Sequence, residues 1–71
     1  MFKKEQFYKH KNGRDIIIQI LWSGQYRDYY KLKIAFWNIS PKSLPPFPIN
    51  ETKIVKVFLT DLDQWQNYKI T

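Results

Sequence analysis

The 71-residue chain contains no cysteine, a single histidine and only two glycines. Without cysteine it has neither a disulfide framework nor a thiol nucleophile, and one histidine excludes the ordinary zinc sites. The two glycines, Gly13 and Gly24, cannot form a glycine-rich phosphate loop. His10 stands alone beside a predicted turn, which is typical of a surface residue. We therefore expect no catalytic residue, no metal and no cofactor, and we interpret the protein as a non-enzyme.

Long apolar runs are missing too. None approaches the roughly 20 residues that a transmembrane helix needs, and Met1 and the lysines after it are not followed by an apolar segment of the export type. We expect a cytoplasmic protein with no membrane contact. Because nothing covalent holds so short a chain together, packing must stabilise it, and we expect a single domain over residues 1–71. It would be a monomer or a small homo-oligomer.

Positive charge is in excess, with 12 Lys and Arg residues against 6 Asp and Glu and a formal net charge of +6. Much of this excess falls at the start of the chain, where one acidic residue accompanies Lys3, Lys4, Lys9, Lys11 and Arg14. Such a segment attracts polyanions or an acidic protein surface. It is equally consistent with a role in solubility alone.

The clearest periodicity is the two-residue alternation over residues 29–37, which predicts a β-strand. One side of this strand is apolar and suits a small core, with Tyr30, Leu32, Ile34 and Phe36. The other side places two ammonium groups among aromatic rings, with Tyr29, Lys31, Lys33, Ala35 and Trp37. This second side is the strongest functional signal in the sequence.

Two strands are predicted before it. Residues 6–10 form a short strand, and Asn12-Gly13 predicts a type I′ turn, because both residues accept positive φ. Residues 15–22 form a second strand, rich in β-branched side chains. Its core face is predicted to carry Ile16, Ile18, Ile20 and Trp22. The opposite face contains Ile17 and is only half polar, so we expect it to be partly covered.

The rest of the chain alternates loops and short elements. Residues 23–28 predict a loop, and residues 40–50, which hold all four prolines, predict an extended loop that is neither strand nor helix. Residues 52–60 predict a strand with a core side and an outer side. The core side carries Val55, Val57 and Leu59, and the outer side carries Ile54, Lys56 and Phe58.

The C-terminal part begins with Thr60-Asp61-Leu62-Asp63, which resembles a capping box and predicts one helical turn through about Gln66. Residues 68–70 predict a last short strand. The expected architecture is all-β, with five short antiparallel strands and one short helical turn before the last.

This order resembles the small Src-homology-3-like barrels, and Phe7-Tyr8-Lys9-His10-Lys11-Asn12-Gly13 resembles the first strand and turn of several bacterial and bacteriophage domains with that barrel. The resemblance implies a fold more than a function. An oligonucleotide-binding barrel is disfavoured, because it usually needs longer strands.

The aromatic and basic strand face predicts a binding site. Rings that stack on bases and lysines that meet phosphates together favour nucleic acid or a nucleotide as ligand. The candidate ligand-binding residues are Tyr29, Lys31, Lys33, Trp37, Lys56 and Phe58. Two alternatives stay open: lysine stems that cover rings on a solvated face, and a second small core that Trp37 closes against the proline loop.

A protein-interaction module is the second hypothesis, such as a phage product that inhibits a host protein. Tyr and Arg are frequent at interface hot spots, and loops carry much of protein binding. The candidate interaction residues are Tyr26, Arg27, Tyr30 and Phe47. Residues 42–48 also fit the K-x-x-P-x-x-P pattern of a proline-rich ligand, although a stiff loop explains them better.

Overall fold

The computed structural model of the protein describes residues 2–39 and 45–69. It is all-β, with one 3₁₀ helix between the last two strands. The elements are β1 (Phe7–His10), β2 (Ile16–Gln25), β3 (Tyr29–Asn38), β4 (Phe47–Phe58), the 3₁₀ helix (Leu59–Gln64) and β5 (Trp65–Tyr68). The strands form one five-stranded antiparallel sheet in the order β4-β3-β2-β1-β5. The predicted class, strand number and helical turn are confirmed, but among the described residues β4 and β5 do not pair to close a barrel.

One face of the sheet, the core face, packs against a small hydrophobic core. The buried residues of this core are Phe2, Tyr8, Ile18, Ile20, Leu32, Ile34 and Val57. Half-buried side chains surround them, among them Tyr30 and Phe36 of β3, Val55, Leu62 and Trp65. The predicted inward side of β3 is therefore confirmed.

The N-terminal segment covers this core, which the alternation does not predict. The Phe2 ring lies edge-on to the rings of Tyr8 at 4.9 Å and Tyr30 at 5.4 Å between centroids. Backbone hydrogen bonds hold the segment against β2: the Glu5 N–H donates to the Ile20 carbonyl at 2.6 Å. Glu5 takes a φ of 69°, in the left-handed region. The backbone turns there, between Phe2 and β1.

A β-bulge in β2 overturns the predicted core face of that strand. Ile20 pairs with Ile34 and Trp22 pairs with Lys33, so Leu21 is an extra residue in β2. The bulge shifts the alternation by one residue, so Trp22 points away from the core face. Ile16 is also exposed. The expectation that the Ile17 side is partly covered is confirmed, since Ile17 is 1% exposed.

Both predicted connections of β2 differ from the structure. Neither Asn12 nor Gly13 has a positive φ, so the type I′ turn is wrong. A longer connection, in which the Gly13 N–H donates to the His10 carbonyl, joins β1 to β2. The predicted loop at residues 23–28 is shorter than expected because β2 continues to Gln25. The Tyr26 N–H then donates to the Tyr29 carbonyl at 2.8 Å, which closes a tight hairpin.

Further corrections concern the C-terminal half. β4 begins at Phe47 and includes Pro48, so the end of the predicted proline loop is a strand. β4 is an edge strand, where proline is tolerated. The 3₁₀ helix begins at Leu59, which is exposed and not a core residue, and Phe58 makes no side-chain capping bond. The capping box is thus wrong, and the last strand, β5, lies before the predicted residues 68–70, which it meets only at Tyr68.

Candidate nucleic-acid interface

Side chains on the side of the sheet opposite the core, here called the outer face, form rows across β2, β3 and β4. Residues directly opposite each other in neighbouring strands share a face. The row nearest the β2–β3 hairpin pairs Tyr29 with Phe58. The next two rows are Gly24, Lys31 and Lys56, and then Trp22, Lys33 and Ile54. Aromatic and basic residues therefore lie next to each other on the outer face.

Four rings lie along the outer face and form what we call the aromatic ribbon, defined by Trp22, Tyr26, Tyr29 and Phe58. The rings of Tyr26 and Tyr29 are stacked, with centroids 5.1 Å apart and planes at 14°. Tyr29 meets Phe58 at 6.0 Å in an edge-on arrangement. Trp22 approaches Tyr26 over Gly24, since a Cβ added to Gly24 would lie within 3.5 Å of both rings. The aromatic ribbon thus extends from β2 to β4.

The rings of the aromatic ribbon differ in exposure. Trp22, Tyr26 and Phe58 are 49%, 47% and 49% exposed. Tyr29 is half-buried and contacts the Lys56 ammonium group, whose Nζ lies 4.9 Å from the ring centroid. Tyr29 therefore supports its neighbours, and the other three rings are open to a ligand.

Three lysines of the outer face, Lys31, Lys33 and Lys56, flank the aromatic ribbon. Lys31 lies directly opposite Lys56, and like charges in directly opposed positions destabilise a sheet. The other registered neighbours of Lys31 and Lys33 are uncharged: Gly24, Trp22 and Ile54. Since none of these neighbours is acidic, a bound anion would relieve the repulsion.

The structure separates Trp37 from the other predicted ligand-binding residues. Tyr29 and Trp37 are eight residues apart in β3, about 26 Å at the usual rise of a strand. Trp37 lies against Phe7, with ring centroids 5.3 Å apart, and its Nε1 donates to Oε1 of Gln19 at 3.2 Å. Trp37 therefore belongs to a covered part of the outer face. Its registered partner in β4 is Pro48, but the ring contact that the structure shows is with Phe7 and not with a proline.

The predicted protein-interaction residues do not form one surface. Tyr26 and Arg27 lie at the β2–β3 hairpin, whereas Tyr30 packs in the core against Phe2. Phe47 lies at the other end of the sheet, where it pairs with Asn38. The proline-rich pattern at residues 42–48 begins outside the described residues, since the structure describes it only from residue 45 onward.

Trp22 and Gly24 are the site residues that the sequence reasoning missed. The bulge at Leu21 moves Trp22 to the outer face, and the apolar run around it hides the change of side. A signal was present in Gly24, because glycine within a strand often marks a bulge or a close approach. The sequence analysis instead places Gly24 in the loop predicted at residues 23–28.

Other kinds of site find no support in the part of the chain that the structure describes. Residues 2–39 and 45–69 contain no group of three or more side chains that could hold a metal ion. No helix among them is long and apolar enough to cross a membrane. No family model, curated protein or solved structure matches the chain. Any functional proposal therefore depends on the geometry of the outer face.

Proposed function

We propose that the protein binds nucleic acid on the outer face of its sheet. The observation that carries this proposal is the exposed aromatic ribbon beside three lysines, two of which oppose each other without an acidic partner in register. Rings offer stacking surfaces to bases, worth roughly 1–3 kcal/mol per base, and lysines neutralise phosphates. A face built only for solubility gains nothing from a row of half-exposed rings.

The residues of the site have different roles in binding. Lys31 and Lys56 form the paired positive charge, and Lys33 lies one row further along β3. Tyr29 holds the ring of Tyr26 by stacking and contacts Lys56, so it organises both parts of the site. The net charge of +6 favours approach of any polyanion, while the outer face determines where it binds.

The proposal is tested by removing charge from the site. Titration of a labelled oligonucleotide at several salt concentrations should show binding that weakens steeply with salt. The Lys31→Gln/Lys33→Gln double variant should bind more weakly, and the slope of log affinity against log salt should fall by about 1.4, at about 0.7 per phosphate contact on a single strand.

A matched control removes the same charge elsewhere. Lys4 and Lys11 are exposed and lie outside the site, so the Lys4→Gln/Lys11→Gln variant has the same net charge as the site variant. It should retain most of the affinity. Equal losses in the two double variants would reduce the interaction to net charge and overturn the proposed site, and failure of the unmodified protein to bind at low salt would overturn the function.

A protein partner is the second candidate, because exposed apolar side chains lie along β4 and at the start of the 3₁₀ helix. Ile54 is 65% exposed, and Phe58 and, in the helix, Leu59 are also open. Exposed aromatic and aliphatic anchors of this kind are typical of interface hot spots. Recovery of one stoichiometric protein from a nuclease-treated lysate would favour this candidate, provided that the Phe58→Ala variant fails to recover it.

A further inference from the structure

Gly24 lies beneath two rings of the aromatic ribbon, those of Trp22 and Tyr26. A Cβ added there would lie 2.8 Å from Cη2 and 3.2 Å from Cζ2 of Trp22, and 3.5 Å from Cε2 of Tyr26. The first distance is shorter than real Cβ atoms tolerate. The outer end of the Trp22 ring therefore occupies the space that any other residue at position 24 would fill.

The backbone does not explain this glycine. The φ of Gly24 is not positive, so other residues can adopt its conformation without strain. What requires glycine here is the place of the Trp22 ring, which is half exposed and adds no buried core. An alanine would move the ring and leave the strand intact.

The aromatic ribbon crosses three strands of a sheet face. Three strands span roughly 10 Å at about 4.8 Å per neighbour, and the ribbon lies on that broad face. The major groove of duplex DNA, about 12 Å wide, admits a helix or a two-stranded ribbon. Bases inside a duplex also keep their faces stacked on each other. Rings on a broad face can therefore stack only with unpaired bases.

We infer that the site takes single-stranded nucleic acid, with an unpaired base stacked on Trp22, and that Gly24 is the positioning residue that holds the Trp22 ring in the aromatic ribbon. This inference rests on the proposed function and deepens it. The three flanking lysines contact phosphates in any strand, so they supply affinity without this selectivity. The selectivity comes from the rings.

The first experiment compares two probes, a short labelled single-stranded DNA of mixed sequence and the same strand annealed to its complement. At one salt concentration, the single strand should bind at least about tenfold more tightly, as the stacking of one or two bases requires. Equal binding of the two probes, with both weakened by the Lys31→Gln/Lys33→Gln variant, would leave the proposed function standing and overturn the inference. Binding of neither probe would overturn both.

The second experiment isolates Gly24 with a double-mutant cycle. Gly24→Ala should weaken single-strand binding about fivefold or more, because the Trp22 ring is displaced. The Gln25→Ala control changes an exposed residue next to it and should have little effect. In a Trp22→Phe background the smaller ring lacks the two indole atoms that the added methyl group would meet, so the same glycine substitution should change affinity less than about twofold.

Unfolding midpoints show whether Gly24→Ala weakens binding by moving the Trp22 ring or by destabilising the fold. Gly24→Ala should unfold at nearly the same denaturant concentration as the unmodified protein, since the strand backbone and the core are unchanged. An affinity loss for Gly24→Ala that persists undiminished in the Trp22→Phe background would show that Gly24 does not act through Trp22. That result would overturn the positioning role, whatever the probe comparison shows.

Discussion

The two ends of the outer face each carry a tryptophan, and the two tryptophans differ in how much of the ring is covered. At the end near the β2–β3 hairpin, the open end, the Trp22 ring is half exposed and lysines flank it. At the other end, the covered end, Trp37 packs against Phe7 and donates a hydrogen bond to Gln19. Ile17, the registered partner of Trp37 in β2, is almost fully buried. A tryptophan on a strand face therefore either packs within the protein or stays exposed to a ligand, depending on which side chains the neighbouring strands place beside it.

This difference shows how a small sheet divides its surface between stability and binding. The core on one face includes few buried residues, so the covered end adds a second apolar cluster where β1, β2 and β3 lie side by side. The open end lies on β2, β3 and β4, where β1 contributes no cover. The rings of Trp22, Tyr26 and Phe58 keep about half of their surface exposed, and that surface is available for a ligand.

The largest expected effect is loss of the covered end through Ile17→Ala. Removal of a fully buried side chain should lower the free energy of unfolding by about 2–5 kcal/mol, a large share of what a domain of this size has. Urea denaturation measures it. The matched control is Ile16→Ala, which changes the neighbouring residue, 38% exposed, and should cost about 1 kcal/mol or less. Equal losses would mean that the covered end is not a core.

The alternation of residue types predicted β3 well, because burial on one face imposes a period of two. Leu32 and Ile34 were assigned to the core from that period alone, and both are buried. The bulge was not predictable in the same way. Ile20, Leu21 and Trp22 are all apolar, so an extra residue among them leaves no break in the pattern.

The candidate site was predictable only in part, for a related reason. Alternation assigns a residue to a face, which placed Lys31, Lys33 and Phe58 on the outer face as the structure has them. It does not show what covers each part of that face. Trp37 is covered by Phe7 of β1, a contact between strands that the sequence of β3 cannot reveal.

The next effect compares the two tryptophans directly. Trp37→Ala should lower the free energy of unfolding by about 2 kcal/mol, since it removes a half-buried ring that packs on Phe7. Trp22→Ala should lower it less, by about 1 kcal/mol, and should also weaken oligonucleotide binding. Denaturation of both variants measures the loss of stability, and oligonucleotide titration of both measures the loss of affinity. If Trp22→Ala destabilised the protein as much as Trp37→Ala, the two ends would not differ in function.

A smaller effect is expected from the hydrogen bond of the covered end. Gln19→Met removes the acceptor of the Trp37 Nε1 proton and keeps a side chain of similar length, so the protein should lose about 1 kcal/mol of stability. Gln25→Met, at the exposed end of the same strand, is the control and should be near neutral. Unfolding curves that coincide for the two variants would show that the bond contributes nothing measurable.

The smallest effect has the opposite sign, and it bears most directly on the open end. Lys31→Gln removes one of two directly opposed charges and leaves the contact between Lys56 and Tyr29 in place, so it should stabilise the protein by about 0.2–1 kcal/mol at low salt. The gain should shrink as salt screens the repulsion, while oligonucleotide binding weakens. Lys33→Gln is the control, because its registered neighbours Trp22 and Ile54 are uncharged, so it removes no directly opposed charge and should stabilise the protein less. Denaturation at low and high salt separates the two variants. If removal of Lys31 stabilises the fold and weakens binding, the presence of this lysine is explained by ligand binding and not by stability. An unchanged or lower stability for Lys31→Gln would remove that argument for the open end.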